Sequence, residues 1–512
     1  MIEGKGEEIK VSERPAVGRW PTANTQWEKR NIAVKVTEWS PATCIECGKC
    51  SLVCPNGCIR IKVSTEDALK EAGAGETFKT ADAYGIDFIG IKFTVQVSTA
   101  DCAGCTLCST ACPARKKDAE GNKTEESALT MITNTEEVLN ESLANWKTFM
   151  ALPEMDNASI NPATVQGSQL KRPLFEFSGA CAGCGETPYI KLVTQLFGDR
   201  MMIANATGCS SIYGGNLPTT PYCQREDGRG PSWSNSLFED NAEYGLGMRQ
   251  SVNKLGMQAA ELVELAVKEE LISKELADSL LDASQATQDD IEAQRARVEE
   301  LKAALAGSNS LTASRLLPVA DYLVKKSVWC FGGDGWAYDI GYGGLDHVLA
   351  SGENINVMVL DTEVYSNTGG QMSKSTPRAA VAQFAAGGKK MPKKDMGMIF
   401  STYGNVYVAR IALGANPQQV VKAISEAEAY DGPSIIIAYS HCINHGLNLA
   451  KGLEQQKKAV ACGHWPLYRY NPRLEDEGKN PLIIDSKEPT IKFAEYALNE
   501  NRYRMLKMAN PE

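Results

Sequence analysis

The sequence predicts an α/β protein, with a parallel sheet preceded by a small, cysteine-rich α+β domain. Three observations carry that prediction. Nine of the sixteen cysteines fall between residues 44 and 115, where continuous apolar sequence is scarce. From about Lys171 onward, short apolar runs (MMIANA, SVWCFGG, INVMVLD, PSIIIAYS) alternate with helical segments, the pattern of parallel strands covered on both faces. Hydrophobic residues make up 43% and charged residues 23% of 512 positions, a balance that supports sizeable cores.

Taken in order, residues 1–43 mix Pro, Gly and charge and are expected to form an extended arm lying over another surface. Residues 44–125 hold the cysteine runs and are expected to enclose an insert at 63–100, where a helical stretch (EDALKEAG) precedes strand-like FIGIKFTVQV. Residues 126–170 serve as a connector, with helical periodicity over Glu125–Leu152. The α/β region fills 171–512 and carries a long Ala/Glu/Leu-rich segment at about 248–310, expected to be a helical hairpin that packs on the sheet domain.

Composition excludes several classes of function. The net charge is −10, which opposes a general nucleic-acid binder, since phosphate recognition needs a basic surface. No apolar run approaches the roughly 20 residues of a membrane-spanning helix. The N-terminus is charged and lacks an apolar core, so a cytoplasmic location is expected. In that reducing compartment, clustered cysteines point to metal ligands rather than disulfides.

Cys44, Cys47, Cys50 and Cys54 are followed by Pro55, and Cys102, Cys105, Cys108 and Cys112 by Pro113. Both runs read C-x2-C-x2-C-x3-C-P, the spacing of bacterial two-cluster ferredoxins, in which the fourth cysteine ligates the other cluster. The expected ligand sets are therefore Cys44, Cys47, Cys50 and Cys112 for one [4Fe-4S] cluster, and Cys102, Cys105, Cys108 and Cys54 for the second. The competing zinc reading needs one or two CxxC pairs, not two complete four-cysteine runs.

Cys181 and Cys184 form a separate C-x2-C at the head of the α/β region, while Cys209 and Cys442 sit in loop-like sequence. By spacing alone, the pair is equally compatible with a redox dithiol, half a zinc site or packing, and the four together with a third cubane. Cys58, Cys223, Cys330 and Cys462 are expected to be small buried hydrophobes without ligand-like partners.

Ser327–Gly335 (SVWCFGGDG) is an apolar strand ending in Gly-Gly-Asp-Gly. Gly333 and Gly335 let the backbone approach a phosphate, and the carboxylate of Asp334 suits the hard Mg²⁺ that accompanies a diphosphate. Thr362 follows Gly335 after 26 residues and a second strand, and YSNTGGQ supplies another polar turn at a strand's C-terminal end. Ligands bind at that edge of parallel sheets. The arrangement is the thiamine diphosphate-binding pattern, with Asp361-Thr362 standing where Asn-Asn is usual.

These motifs, in the order of two ferredoxin runs, CAGCGE, TGCSS, GDGWAYDIGYGG, SNTGGQ and CIN, closely resemble the C-terminal part of the pyruvate:ferredoxin oxidoreductase (pyruvate synthase) family. The match runs from Glu28–Ala33 (EKRNIA) to Trp465–Pro472 (WPLYRYNP). The resemblance implies a thiamine diphosphate-binding fold and a third [4Fe-4S] cluster on Cys181, Cys184, Cys209 and Cys442. It implies Mg²⁺ held by Asp334, Thr362 and the carbonyl of Val364. Asn367 would lie over the thiazolium, with Gly208 and Cys209 along the cofactor and Glu186 beside it as a catalytic candidate; a structural ion pair is the competing role for Glu186.

The reaction implied is pyruvate, coenzyme A and two oxidised ferredoxins giving acetyl-CoA, CO2 and two reduced ferredoxins. Ferredoxin or flavodoxin would be the external partner, and the complete enzyme a dimer. The family's N-terminal region, which binds the pyrimidine and coenzyme A, is not in this sequence, so the chain is expected to need it, as a partner chain or as further sequence. The alternatives are the same chemistry on another 2-oxoacid such as 2-oxoglutarate, or an electron-transfer subunit without its own catalytic site. Two basic runs, Lys389–Lys394 and Arg115–Lys117, are candidate docking points for an acidic carrier, against a simple solvated face.

Overall fold

The computed structural model describes residues 3–511 apart from 15, 17–19, 86–87, 156–158 and 217. Its centre is an eight-stranded sheet. Across it run Leu482–Ile484, Tyr468–Tyr470, Tyr407–Ile411, Ser434–Tyr439, Asn356–Asp361, Ser327–Gly333, Met201–Ala206 and Ser232–Ser236. Six of these strands are parallel, and the first two form an antiparallel edge.

The central strands are Val- and Ile-rich and buried on both faces, as a sheet covered by helices on two sides requires. Successive side chains alternate between two cores. Trp329, Phe331, Met358 and Leu360 enter one; Val328, Cys330, Val357 and Val359 enter the other. Cys330 lies so close to the helix Asn241–Lys268 that a Cβ added at Gly245 would stand 2.2 Å from its sulfur.

The helical segment starts at Asn241, earlier than the sequence pattern suggests. Helices Asn241–Lys268, Lys274–Leu281, Gln288–Leu305 and Leu311–Leu316 close around a core of their own that includes Val263, Ile291, Leu301 and Leu316. Ser273, Thr287 and Ser310 cap the N-termini of the last three.

In the cysteine-rich part, short helices Lys49–Val53 and Leu107–Ala111 pack on one another beside the antiparallel strands Ile59–Ser64 and Lys92–Val97. Residues 63–100 thus begin within one strand and end beyond its partner, so the excursion is a hairpin of the domain's own sheet. The arm also contributes a strand. Lys35–Trp39 pairs antiparallel with Leu129–Thr133, in a stretch where helical periodicity pointed to a connector; the helix proper is Glu136–Ala151. Upstream of that strand the arm is pinned by Ala23 N donating to Tyr222 O at 2.7 Å and Thr25 Oγ1 to Glu176 O at 2.9 Å.

Leu52, Val53 and Leu107 belong to the same core as Tyr189, Ile190 and Val193 of the helix Thr187–Phe197. From that helix the buried Lys191 amine donates to the Ser51 carbonyl. The cysteine-rich domain and the sheet domain therefore share one apolar interior.

Candidate functional site

The two cysteine runs fold into the same loop twice. Glu46 and Gly48 in the first, and Gly104 and Thr106 in the second, occupy matching positions and all adopt positive φ, between 55° and 68°. Left-handed backbone at alternate residues brings the first three thiols of each run near one another. The short helix then carries Cys54, or Cys112, away at its C-terminal end. Cys44 and Cys50 have Cys47 and Cys112 as neighbours, while Cys105 and Cys108 have Cys102 and Cys54. The fourth cysteine of each run thus stands with the first three of the other.

The cages are prepared for anionic sulfur. Glu46 N donates to Cys44 Sγ at 3.3 Å, Gly104 N to Cys102 Sγ at 3.4 Å and Glu186 N to Cys184 Sγ at 3.4 Å. Trp39 Nε1 is buried without an oxygen or nitrogen acceptor and faces the Cys44 thiol. Burial pushes the free thiols of Cys105 and Cys442 up to about 12. Among the described residues no three His, Cys, Asp or Glu side chains converge on one point as a single ion would require. A cubane instead spreads four thiolates over four irons, so these residues fit clusters rather than zinc.

Cys181 and Cys184 from one loop, Cys209 from a second and Cys442 from a third come together to line one cavity of about 210 Å³. A second cavity, of about 110 Å³, is lined by Gly208, Gly333, Asp334, Gly335 and Val364. Glu186, Cys209 and Asn367 line both, so the two cavities meet at these three residues. The carboxyl of Glu186 accepts from the Tyr213 hydroxyl at 3.0 Å, and burial pushes its pKa up to about 7.

Thr362, which lines the four-cysteine cavity, reaches toward the second: its Oγ1 lies 3.1 Å from Asp334 Oδ1 and 3.0 Å from the Val364 carbonyl. Asp334 is buried, and its side-chain partners are two hydroxyls, those of Thr362 and Ser373. Burial, then the charge of Asp361, pushes its carboxyl well above the usual range. An all-oxygen set around an uncompensated buried acid suits a hard divalent cation. Glycine is required at the neighbouring turn, because a Cβ at Gly335 would meet the Tyr365 ring at 2.3 Å. At Gly208 an added Cβ would meet nothing within 4 Å, which leaves open backbone facing the cavity. The residues thus fit a magnesium-bound diphosphate.

Spacing gave no signal for Ser373, Tyr213 or Ser366, whose hydroxyl lies 3.2 Å from Cys209 Sγ; only folding brings them to their partners. Cys58 was expected to lack ligand-like neighbours, yet its sulfur lies 3.5 Å from that of Cys54. His441 and His445 are buried supports. His441 Nε2 donates to Gly183 O at 2.9 Å, and His445 Nε2 to Thr362 O at 2.6 Å. Both basic runs are partly drawn inward. Lys393 reaches Asp361 at 2.8 Å, and the Arg115 guanidinium binds the carbonyls of Cys112 and Ala114, each at 2.7 Å.

Known families match three stretches of the chain. The C-terminal TPP-binding domain of thiamine pyrophosphate enzymes matches residues 310–438, a 4Fe-4S dicluster domain residues 43–116, and a domain of unknown function, EKR, residues 1–33. The putative pyruvate-flavodoxin oxidoreductase of Synechocystis sp. is 54% identical over 100% of this chain and 42% of its own length. The pyruvate-flavodoxin oxidoreductase of Trichormus variabilis is 54% identical over 100% of this chain and 43% of its own. The pyruvate:ferredoxin oxidoreductase of Moorella thermoacetica is 52% identical over 99% of this chain and 43% of its own. The chain thus spans less than half the length of these relatives. From end to end it is similar to one stretch of the pyruvate-flavodoxin and pyruvate:ferredoxin oxidoreductases, and it joins a 4Fe-4S dicluster domain to a thiamine pyrophosphate-binding domain in a single polypeptide.

Proposed function

We propose that this chain is the thiamine diphosphate- and cluster-binding part of a 2-oxoacid:ferredoxin oxidoreductase, with pyruvate as the acid. The observation that carries this reading is the meeting of the Asp334–Val364 cavity with the four-cysteine cavity at Glu186, Cys209 and Asn367. A carbon centre that must give up two electrons one at a time needs a one-electron acceptor at its wall, and this arrangement supplies the ligands for one.

Thiamine diphosphate, when bound, supplies the carbon nucleophile and the electron sink for decarboxylation of a 2-oxoacid. The chain's own residues do the rest. Asp334, Thr362 and the Val364 carbonyl would hold Mg²⁺, and the Gly333–Gly335 turn would admit the phosphates close to the backbone. Asn367 faces the reacting end. Glu186, buried and accepting from Tyr213, would offer a carboxyl beside that end able to take up or release a proton, since burial pushes its pKa up to about 7. Cys181, Cys184, Cys209 and Cys442 hold the nearest [4Fe-4S] cluster. Beyond it, the helix Leu107–Ala111 packs against Leu449–Lys451, and Leu449 lines the four-cysteine cavity, which supports a route through the Cys102–Cys105–Cys108–Cys54 cage to the Cys44–Cys47–Cys50–Cys112 cage and outward to ferredoxin or flavodoxin.

Coenzyme A and the pyrimidine site belong to the remainder of the enzyme in this reading. The test is anaerobic purification of the chain together with that remainder, followed by coenzyme A-dependent viologen reduction with pyruvate and with 2-oxoglutarate. Reduction with pyruvate is expected. Reduction with 2-oxoglutarate alone would replace the substrate, and a complex with its clusters but no bound thiamine would replace the reading with that of a plain electron carrier.

A further inference from the structure

We propose that Cys58 is a fifth sulfur of the second cysteine cage, donating a hydrogen bond from its thiol to the ligand sulfur of Cys54 and thereby raising that cluster's reduction potential. The inference rests on reading Cys54, Cys102, Cys105 and Cys108 as cluster ligands.

Cys58 is held in place by its backbone. It follows Gly57, which turns the chain with φ of 61°, and its carbonyl accepts from Ser98 N at 2.7 Å. The side chain is 3% exposed, and its sulfur stands 3.5 Å from Cys54 Sγ. It lines the same small cavity as Cys54, Cys102, Cys105 and Cys108, with Ile59, Val97 and Met131 closing much of the rest.

A cubane takes one terminal thiolate per iron, so five thiols around it leave one over. The one outside both C-x2-C-x2-C-x3-C-P runs is Cys58. With no iron left to bind, it keeps its proton and is the donor across the 3.5 Å contact to the Cys54 sulfur. A donor to cluster sulfur favours the reduced, more negative cluster, and hydrogen bonds of this kind are among the levers that set such potentials. The corresponding position after the second run is Lys116, whose amine pairs at the surface with Glu126 at 3.0 Å. The device is therefore present at one cage and absent from the other.

The experiment is an EPR-monitored redox titration of the complete, cluster-loaded protein, comparing the unaltered enzyme with Cys58→Ala and Cys58→Ser. In Cys58→Ala, one of three [4Fe-4S] midpoints is expected to move negative, by up to about tenfold in the reduction equilibrium, ~59 mV for one electron. Cys58→Ser keeps a donor and is expected to recover much of that shift. Unmoved midpoints in Cys58→Ala, with all three clusters present, would overturn the inference alone. An equal shift in both variants would assign the effect to packing, and loss of a cluster in Cys58→Ala would make Cys58 a ligand; either overturns the donor role. An unaltered protein without [4Fe-4S] signals would sink the cluster reading and the inference together.

Discussion

The two ferredoxin-type cages and the cage at the crevice hold cysteines in opposite ways. In the first two, three of four thiols lie within seven consecutive residues, and a pair of left-handed positions in each run aims them. In the third, Cys181 and Cys184, Cys209, and Cys442 reach one cavity only because three loops meet beside the parallel sheet. The first kind of cage is encoded locally and survives in any fold that tolerates the loop. The second exists only in the finished tertiary structure, and for that reason it can be placed against Asn367 and Glu186 on the wall of another site.

The sharpest test of that contrast removes a thiol that one run lends to the other. With Cys112→Ala, iron is expected to fall by about one third. Adding Cys47→Ala should remove little more, whereas adding Cys105→Ala should take a second cluster. If instead Cys112→Ala and Cys105→Ala deplete the same cluster, each run keeps its own fourth ligand. Next in size is Asp334→Asn, which strips the charge from the oxygen set in the crevice. Retention of magnesium and thiamine diphosphate is expected to weaken by about 100-fold or more, with iron content unchanged; a parallel loss of iron would show that the crevice and the cages do not load independently. The smallest effect belongs to Trp39→Phe. Losing the indole N–H that faces Cys44 removes one hydrogen bond of about 1 kcal/mol, so the midpoint of the first cage should move negative by less than about tenfold while the second stays in place.

The same contrast explains what could be read from residues alone. Two complete cysteine runs announce their clusters because ligand spacing is a property of a few consecutive dihedral angles. The Gly-Gly-Asp-Gly turn on an apolar strand, with Thr362 one strand later, marks the crevice nearly as well, since parallel-sheet topology brings neighbouring strand ends together. Ser373 and Tyr213 carry no such mark. Each is an ordinary polar residue until packing sets it beside Asp334 or Glu186. The pairing of Lys35–Trp39 with Leu129–Thr133 was hidden for a related reason: strand register across so long a loop depends on tertiary contacts more than on local preference.

The shared interior of Leu52, Val53 and Leu107 with the helix Thr187–Phe197 has a consequence for motion. Domains that swing on a hinge need a thin, wet boundary between them. Here the boundary is apolar core, fastened by the Lys191–Ser51 contact within it. The cysteine-rich domain and the crevice must therefore melt in one cooperative transition rather than two. In the proposed function, the gaps an electron would have to jump between cages are then set by a shared core rather than by a hinge.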